Sequence, residues 1–566
     1  MAQHPQFHIT PQFGWMNDPN GMFQHGALYH VFFQYNPAAA VWGAPAWGHV
    51  VSSDLAHWQR LPVALQPDTV YDDDGVFSGS VTVVDGTPIL LYTGVTNFTE
   101  LGYYYQTQAL ATPSPLAPSD PDPLLMHWTK APQNPIVPAV PPGGTHRQFR
   151  DPTSMWQQDG LWYTAIGGQL DCSGTAMMFS SPSGFLNWTY VGLLASQVGS
   201  DSSAKCLPAA NGEGCDQAGA GCRSWECPDF FTVQGLVGRY ALKWSDQVTG
   251  RSPFGVDWYV LGDAPTSYDA SGASSNSAGL FTANTQGVAY APRALDYGAV
   301  YASKSFKLDD GRQLMMSWVL ETSVGCTEQC TKGTAFTNAS GWQGVQTIPR
   351  VVTYDAALDE LVFYPIVEVE QLRQETLYQG NITLDQAHDS YAIPFTNSSN
   401  DGRQLDIVLK ITLQPAPPAA APGSTSAFET GIILTHDSLT STSVLLKGSM
   451  GQSNSGVWTV NSLGMFVNKA LTGGATNVTY QGGWEGGAVS LPEGGLALDG
   501  LKMRVLVDHS LLEVFASDGR GRIASRIYPL SVDSWTVSLF ATLQSAASVR
   551  VEAAVFAMES CWVGSV

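Results

Sequence analysis

Short runs of apolar and aromatic residues, each bounded by Gly, Pro, Asn or Asp, recur along this chain of 566 residues. Runs with the period of an amphipathic helix are scarce. The clearest runs follow a turn that contains glycine, and they lie at residues 28–35, 87–93, 161–166 and 314–318. This pattern restricts the chain to a fold built from strands, and we predict an all-β protein.

A looser repeat links Trp58, Trp128 and Trp188, each of which ends a similar segment and precedes another predicted strand. The three tryptophans lie 70 and 60 residues apart, which is the length of one four-stranded blade with its loops. Repetition at this period favours a β-propeller. In that architecture, carboxylates on the first strands of several blades can meet at a central channel.

Three motifs each place a carboxylate close to aromatic residues and to a proline. The acids are Asp18 within residues 15–21, Asp151 within residues 149–152 and Glu226 within residues 225–229. Pro19 biases Asp18 toward an extended backbone, and the Asn-Gly pair that follows tolerates a tight turn. Three such motifs in order predict one active site.

Retaining glycoside hydrolysis needs two carboxyl groups about 5 Å apart, one as a nucleophile and one as an acid. The nucleophile must stay ionised, and it therefore needs hydrogen-bond donors. We expect Asn17 and Asn20 to help provide these donors for Asp18.

The acid must hold its proton, and it therefore needs an apolar wall or a neighbouring negative charge. Glu226 fits this description, because Trp225 and the pair Cys227-Pro228 flank it. We expect Asp151, oriented by Arg150, to accept hydrogen bonds from sugar hydroxyls.

The length of the chain predicts two domains. Its formal net charge of −22 argues against nucleic acid and against an anionic membrane surface as partners, because both are negatively charged. A neutral substrate fits better. No apolar run approaches the length of a membrane span, which predicts no transmembrane helix. No signal peptide precedes residues 7–10, so we expect a mature or truncated form.

Six N-x-S/T sequons in a chain with 8 cysteines favour the secretory pathway. The sequons begin at Asn97, Asn187, Asn338, Asn381, Asn397 and Asn477. The cysteines lack the paired C-x-x-C spacing of zinc sites, so we predict no metal and expect disulfides. Cys326 and Cys330 are a plausible local pair, and the remaining pairing stays open.

Ordered motifs along about the whole chain resemble the signatures of glycoside hydrolase family 32, the invertases and their fructan-active relatives. Their details are most similar to the plant-type acid invertases. The motifs are residues 15–21, 32–37, 77–80, 149–152, 225–229, 296–298, 301–304, 341–350, 507–510 and 513–515.

The resemblance implies an N-terminal five-bladed β-propeller followed by a C-terminal β-sandwich. We expect residues 1–360 to form the catalytic propeller, residues 361–378 a short connector and residues 379–566 the sandwich. The resemblance implies no metal and no organic cofactor. It implies a small-molecule sugar as the partner, and it leaves open whether the protein is a monomer or a homodimer.

The resemblance also implies a retaining mechanism on β-D-fructofuranosides. At the matching positions, Asp18 resembles the nucleophile, Glu226 the acid/base and Asp151 the transition-state stabiliser. The residues that resemble the lining of the fructose subsite are Asn17, Gln34, Trp42, Phe77, Ser78 and Arg150.

Three functions remain open. The first is hydrolysis of sucrose, with fructan exohydrolysis as its nearest variant. The second is fructosyl transfer, which Asn17 disfavours because transferases of the family often replace the residue there. The third is a non-catalytic sugar-binding relative, which the presence of all three acids disfavours.

Pro228 resembles the wall-type enzymes and thus predicts a secreted, extracellular or cell-wall protein, with the vacuole as the alternative. A Cys-rich insertion at residues 200–223 lies outside the family pattern. It either borders the leaving-group side of the site or is a disulfide-pinned surface loop.

Three further features have a structural interpretation. We expect Cys227 to be a buried or disulfide-linked residue rather than one that tunes Glu226. His49 fits a core histidine at least as well as a substrate contact. Residues 508–510 contain Asp, His and Ser, but neighbouring residues of a strand point to opposite faces and cannot form a catalytic triad.

Overall fold

The structure, a computed structural model, describes residues 3–101, 103–114, 122–170, 173–182, 184–197, 207–208, 215–217, 222–248, 256–263, 281–283, 292–321, 340–395, 401–415, 425–453, 455–471, 484–529, 535–544 and 547–564. Strands dominate it, as the sequence predicts. The four strands expected from the aromatic runs are confirmed, as parts of Leu28–Asn36, Thr87–Thr96, Leu161–Leu170 and Gln313–Val319.

Five sheets follow one another along residues 14–365. The first contains Gly14–His25, Leu28–Asn36, Ala46–Ser52, Gln59–Leu65 and Trp342–Gln343. The second contains Gly75–Val84, Thr87–Thr96, Tyr105–Pro113 and Trp128–Lys130. The third contains Gly144–Arg150, Trp156–Gln158, Leu161–Leu170, Ser173–Ser181 and Thr189–Gln197.

The fourth sheet contains Arg223–Phe231, Arg239–Val248, Asp257–Asp263, Thr282–Ala283 and Arg293–Ala294. The fifth contains Val300–Lys307, Gln313–Val319, Val345–Gln346, Arg350–Asp355 and Glu360–Pro365. Within the insertion at residues 200–223, Leu207–Pro208 pairs with Cys215–Gln217. Cys222 is disulfide-bonded, and Cys326 and Cys330 lie outside the described residues.

The repeated tryptophans mark equivalent places in successive sheets. Trp58 precedes the last strand of the first sheet, Trp128 begins that of the second, and Trp188 precedes that of the third. The strand Trp342–Gln343 pairs in parallel with Gly14–His25. This pairing brings a late part of the chain back to the first sheet.

The first strands of neighbouring sheets contact one another. Lys304, in the first strand of the fifth sheet, is 2% exposed, and its Nζ lies 3.0 Å from Pro228 O and 3.2 Å from Ser80 Oγ. The same atom lies 3.4 Å from Pro152 O. A buried ammonium group needs such acceptors, and here they come from three other parts of the chain. Lys304 therefore links the first strand of the fifth sheet to the first strands of the second and fourth sheets and to Pro152, which follows that of the third.

Residues after 365 form two further sheets. The sixth sheet contains Arg373–Leu384, Gln404–Gln414, Leu501–Asp508, Leu511–Ala516, Gly521–Arg526 and Ser548–Met558. The seventh contains Ser390–Ala392, Thr425–Thr435, Ser441–Gln452, Trp458–Leu471, Trp484–Ala488, Leu496–Ala497 and Thr536–Leu543. Alternate residues of Gln404–Gln414 are buried in a core that both sheets share, as expected for a strand that packs on one face.

The described helices are short: the α-helix Phe98–Leu101 and the 3₁₀-helices Val367–Leu372 and Ser517–Gly519. Val367–Leu372 connects the fifth sheet to the sixth. Within the part of the chain that the structure describes, no helix has both the length and the apolar character needed to cross a membrane.

Buried ion pairs join the fifth sheet to the sixth. Arg350 Nη2 lies 2.6 Å from Glu513 Oε2, and its Nη1 lies 2.7 Å from Asp296 Oδ2. His8 lies between Asp508, at 2.8 Å, and Glu513, at 3.1 Å. Asp508 therefore anchors the N-terminal segment. This role agrees with the prediction that residues 508–510 are structural and form no catalytic triad.

Candidate active site

A cavity of about 390 Å³ is lined by residues of the first five sheets and their connections. All nine residues that the sequence assigned to the site line it: Asn17, Asp18, Gln34, Trp42, Phe77, Ser78, Arg150, Asp151 and Glu226. These residues are up to 209 positions apart in the sequence. The fold therefore brings together the three acids and the six predicted sugar-binding residues.

Asp18 lies where the pairing of Gly14–His25 with Leu28–Asn36 is interrupted, between Met16 and Pro19. The Asn17 side chain donates a 3.0 Å hydrogen bond to its Oδ1, as expected. The second donor is Ser78, whose hydroxyl lies 2.6 Å from Oδ2, whereas the sequence suggested Asn20.

Burial and a neighbouring charge both raise the pKa of Asp18. Burial, and then the nearby Asp151 carboxylate, raise the pKa of Asp18 to about 6. The hydrogen bonds from Ser78 and Asn17 oppose this rise, because they stabilise the ionised form. Asp18 is thus a carboxyl group that changes its charge at mildly acidic pH.

Asp151 directly follows the strand Gly144–Arg150 and has a φ of 66°, a left-handed conformation that is uncommon outside glycine. Its backbone N–H donates to Thr93 Oγ1 at 2.9 Å. Its Oδ2 accepts a 2.8 Å hydrogen bond from the Cys227 N–H. Burial raises the pKa of Asp151, and the Glu226 charge adds to the rise while Arg150 opposes it.

Glu226 is held by a cation and a phenol. Arg150 Nε donates to Glu226 Oε1 at 3.1 Å, and Nη2 bonds the same oxygen. The Tyr301 hydroxyl donates to Oε2. The expectation that Arg150 orients Asp151 is therefore incomplete, since its guanidinium bonds Glu226.

The prediction that Trp225 forms an apolar wall beside Glu226 is wrong. Trp225 stacks on Trp244, with ring centroids 4.4 Å apart, and faces the interior between sheets. Neighbouring residues of a strand point to opposite sides, so sequence adjacency does not make Trp225 a wall for Glu226. The strand also bulges between Glu226 and Asp229.

Cys227 is a buried free thiol, in agreement with its structural interpretation. Its Sγ lies 3.4 Å from Asp18 Oδ2 and 3.5 Å from Asp151 Oδ2. Burial, followed by the charges of these two acids, raises the pKa of Cys227 well above its ordinary value. The thiol is therefore protonated and can donate to them.

His49 lies in the interior, where its Nε2 is 3.0 Å from His30 Nδ1. It fits the core interpretation. Among the described residues, no group of three or more His, Cys, Asp and Glu side chains is arranged to hold a metal ion.

Several cavity-lining residues were not singled out from the sequence. They are Trp15, Phe98, Tyr103, Tyr104, Gln106, Arg147, Gln148, Gln247, Tyr301 and Trp318. Trp15 and Tyr301 lie inside the motifs at residues 15–21 and 301–304, and these motifs could have identified them as site residues. Gln106 binds Arg150 through its Oε1, at 3.1 Å, which only the folded chain reveals.

Comparison with known families identifies two family models that together match most of the chain. The model described as "Glycosyl hydrolases family 32 N-terminal domain" matches residues 8–365, and that described as "Glycosyl hydrolases family 32 C terminal" matches residues 368–555. The chain belongs to glycosyl hydrolase family 32. It is therefore a glycosidase, and the three acids lie inside the stretch that the N-terminal model matches.

Individual relatives of this family 32 chain are similar over nearly its full length. An acid beta-fructofuranosidase of Solanum lycopersicum is 31% identical and is matched over 100% of this chain and 83% of its own length. One from Vicia faba is 32% identical, over 93% of this chain and 76% of its own. The crystal structure of fructan 1-exohydrolase IIa from Cichorium intybus has a TM-score of 0.75 and 26% identity, and covers 100% of this chain and 99% of that one.

Proposed function

We propose that this family 32 enzyme cleaves terminal β-D-fructofuranosides with retention, with sucrose as the main substrate and glucose and fructose as products. The observation that carries the proposal is the convergence of Asp18, Asp151 and Glu226 on one cavity. The full-length similarity to acid beta-fructofuranosidases supports the choice of substrate.

In this proposal, Asp18 attacks the anomeric C2 of the fructosyl unit. The bond from C2 to the leaving oxygen breaks, and Glu226 gives its proton to that oxygen. Glu226 then removes a proton from water, whose oxygen attacks C2 and releases Asp18 from the ester. One water is consumed, and both acids return to their starting states.

The contacts of each acid support its assigned role. Ser78 and Asn17 donate to Asp18 and so stabilise the carboxylate that attacks. Arg150 and Tyr301 fix the Glu226 carboxyl at the cavity. Asp151, which Cys227 holds through its backbone N–H, would accept hydrogen bonds from fructose hydroxyls that strengthen in the transition state.

Removal of a terminal fructose from a fructan is the second candidate. It is favoured by the structural likeness to the Cichorium enzyme, including a variant of that enzyme in complex with 1-kestose at a TM-score of 0.76. The same acids would act in the same order.

We further propose that the first five sheets are the blades of a β-propeller and that the sixth and seventh form a β-sandwich. Glu360–Pro365 pairs with Arg350–Asp355, and Arg373–Leu384 pairs with Ser548–Met558. We therefore narrow the expected connector from residues 361–378 to residues 366–372.

We also propose that the protein is secreted, to the extracellular space or cell wall, with the vacuole as the alternative. The described sequon residues Asn97, Asn187 and Asn381 are all exposed, as glycosylation requires.

The test is the release of free glucose and free fructose from sucrose by the wild type and by Asp18→Asn. Equal release of both sugars, lowered about a thousandfold or more in the variant, would support hydrolysis with Asp18 as the nucleophile. Excess glucose would instead show transfer of fructose to another sugar. An unchanged rate in Asp18→Asn would refute the assignment of the nucleophile. No release from sucrose or from any fructan would refute the function itself.

A further inference from the structure

Four aromatic side chains in the wall of the cavity contact one another in a line. The ring centroids are 5.5 Å apart for Trp42 and Phe77, and 5.1 Å apart for Phe77 and Tyr104. Tyr104 then stacks on Phe98, at 4.5 Å and 28°. All four residues line the cavity, and we call them the aromatic line.

Exposure increases along the outer part of the aromatic line, from Phe77 through Tyr104 to Phe98. Phe77, which precedes Ser78, is 9% exposed, Tyr104 is half-buried and Phe98 is 44% exposed. An aromatic ring that continues the wall of a cavity into solvent offers apolar area for a ligand to cover. The end of the line at Phe98 is therefore open to solvent, whereas Phe77 is buried.

Phe98 is fixed in place rather than carried on a loose chain. It begins the helix Phe98–Leu101, which connects Thr87–Thr96 to Tyr105–Pro113 of the second sheet. Its backbone N–H donates a 2.8 Å hydrogen bond to Asp74 Oδ2. A ring that is already positioned loses little conformational freedom when it binds a ligand.

The remaining wall of the outer cavity is polar. Arg147, Gln148 and Gln247 line it, and the Arg147 guanidinium lies 5.9 Å from the centre of the Tyr103 ring. Aromatic faces together with amide and guanidinium donors suit a ligand that has apolar C–H faces and many hydroxyls. A chain of sugar units has this chemistry.

We propose that Tyr104 and Phe98 bind the second and third sugar units of the substrate, on the leaving side of the bond that is cleaved. This inference rests on the proposed function, which places the first fructosyl unit at Asp18, beside Trp42 and Phe77. Sucrose, with two units, reaches Tyr104 only. A fructan of three or more units also covers Phe98, and Phe98 therefore lowers the KM for fructo-oligosaccharides relative to that for sucrose.

The contacts of this platform lie away from the reacting atoms. They are the same in the ground state and in the transition state, so they lower KM and leave kcat unchanged. This split between KM and kcat distinguishes a substrate platform from a residue that positions the acids.

The experiment compares kcat and KM for sucrose, 1-kestose and its four-unit homologue in the wild type, Phe98→Ala and Phe98→Tyr. For Phe98→Ala we expect the ratio of kcat/KM for the four-unit sugar to that for sucrose to fall about fivefold, through KM. Phe98→Tyr keeps an aromatic face and should restore the ratio. Both changes keep the sequon that begins at Asn97.

Leu101→Ala is the matched control. Leu101 lies on the same helix and is also 44% exposed, but it does not line the cavity. It should leave the ratio unchanged, and an equal fall in both variants would overturn the proposal in favour of a structural role for the helix. An unchanged ratio in Phe98→Ala, or a fall through kcat, would also overturn it. If the wild type were inactive on all three sugars, the proposed function itself would be refuted. That result differs from the outcomes for the variants, which test only the role of Phe98.

Discussion

The hydroxyl of Ser78 donates a 2.6 Å hydrogen bond to Oδ2 of Asp18. The two residues lie on the first strands of two different sheets, and the bond opposes the rise in the pKa of Asp18 that burial and Asp151 cause. Ser78 thus favours the ionised form of the proposed nucleophile from the neighbouring sheet.

Substitution of Ser78 by Ala should move the acid limb of the pH profile of kcat/KM upward. Removal of a donor to the carboxylate raises the pKa of Asp18 above about 6, so a higher pH is needed to ionise it. A hydrogen bond to a charged group contributes about 1.5–3 kcal/mol, which corresponds to a shift of about one unit or more. Ser449→Ala, which removes a hydroxyl of the seventh sheet that lies 2.7 Å from Ser462 Oγ, is the control, and an acid limb that moves equally in both variants would count against this role.

Substitution of Glu226 by Gln should lower kcat on sucrose by about a thousandfold, or about 4 kcal/mol in the barrier. The amide cannot give a proton to the leaving oxygen. A fructoside whose leaving group needs no proton should recover much of the loss. Steady-state kinetics on both substrates would test this, and equal losses would exclude Glu226 as the acid.

Substitution of Glu513 by Gln should destabilise the protein by about 3–5 kcal/mol, because it leaves the buried Arg350 with one fewer charged partner. The side chains of this pair are 1% and 0% exposed. Lys502 and Asp518 form an exposed pair, at 53% and 67%, so Lys502→Ala should cost about 1 kcal/mol or less. Denaturant unfolding of the two variants beside the wild type provides the comparison, and similar losses would contradict the prediction.

The same interface should make stability depend on pH. Burial alone would lower the pKa of His8, but its bonds to Asp508 and Glu513 raise it above 6.5. The stabilisation by His8 is therefore present below pH 6.5 and is lost as the pH rises through the raised pKa.

The two acids have the opposite dependence. Burial alone would raise the pKa values of Asp508 and Glu513. Contacts of Asp508 with His509 and His8, and of Glu513 with Arg350 and His8, instead hold these pKa values below the ordinary values of 3.8 and 4.5. Their contribution is present above those values and is lost as the pH falls through the lowered ones. The contribution of this interface to stability should thus be largest between about pH 4.5 and 6.5. The melting temperature of His8→Gln should therefore decline less than that of the wild type as the pH rises above 6.5. A variant as pH-dependent as the wild type would refute the assignment to His8.

Much of the fold could be predicted from the sequence, because strand patterns and turns are local. The aromatic runs predicted strands that the structure contains, and the spaced tryptophans correspond to the last strands of three successive sheets. The acids were also recognisable, since each lies in a short motif beside aromatic residues and a proline.

The sequence by itself determined the strand content, the order of the three acids and the residues expected around the sugar. Only the tertiary structure decided which groups hold each acid: Arg150 and Tyr301 on Glu226, and Ser78 on Asp18. The physical reason is that these partners come from different sheets, up to 76 residues apart in the sequence, and local patterns do not encode pairing between sheets. The exposed position of Phe98 at the cavity is also a property of the tertiary structure. A single aromatic residue in a connection between strands has the same sequence pattern whether it is buried or lines a cavity.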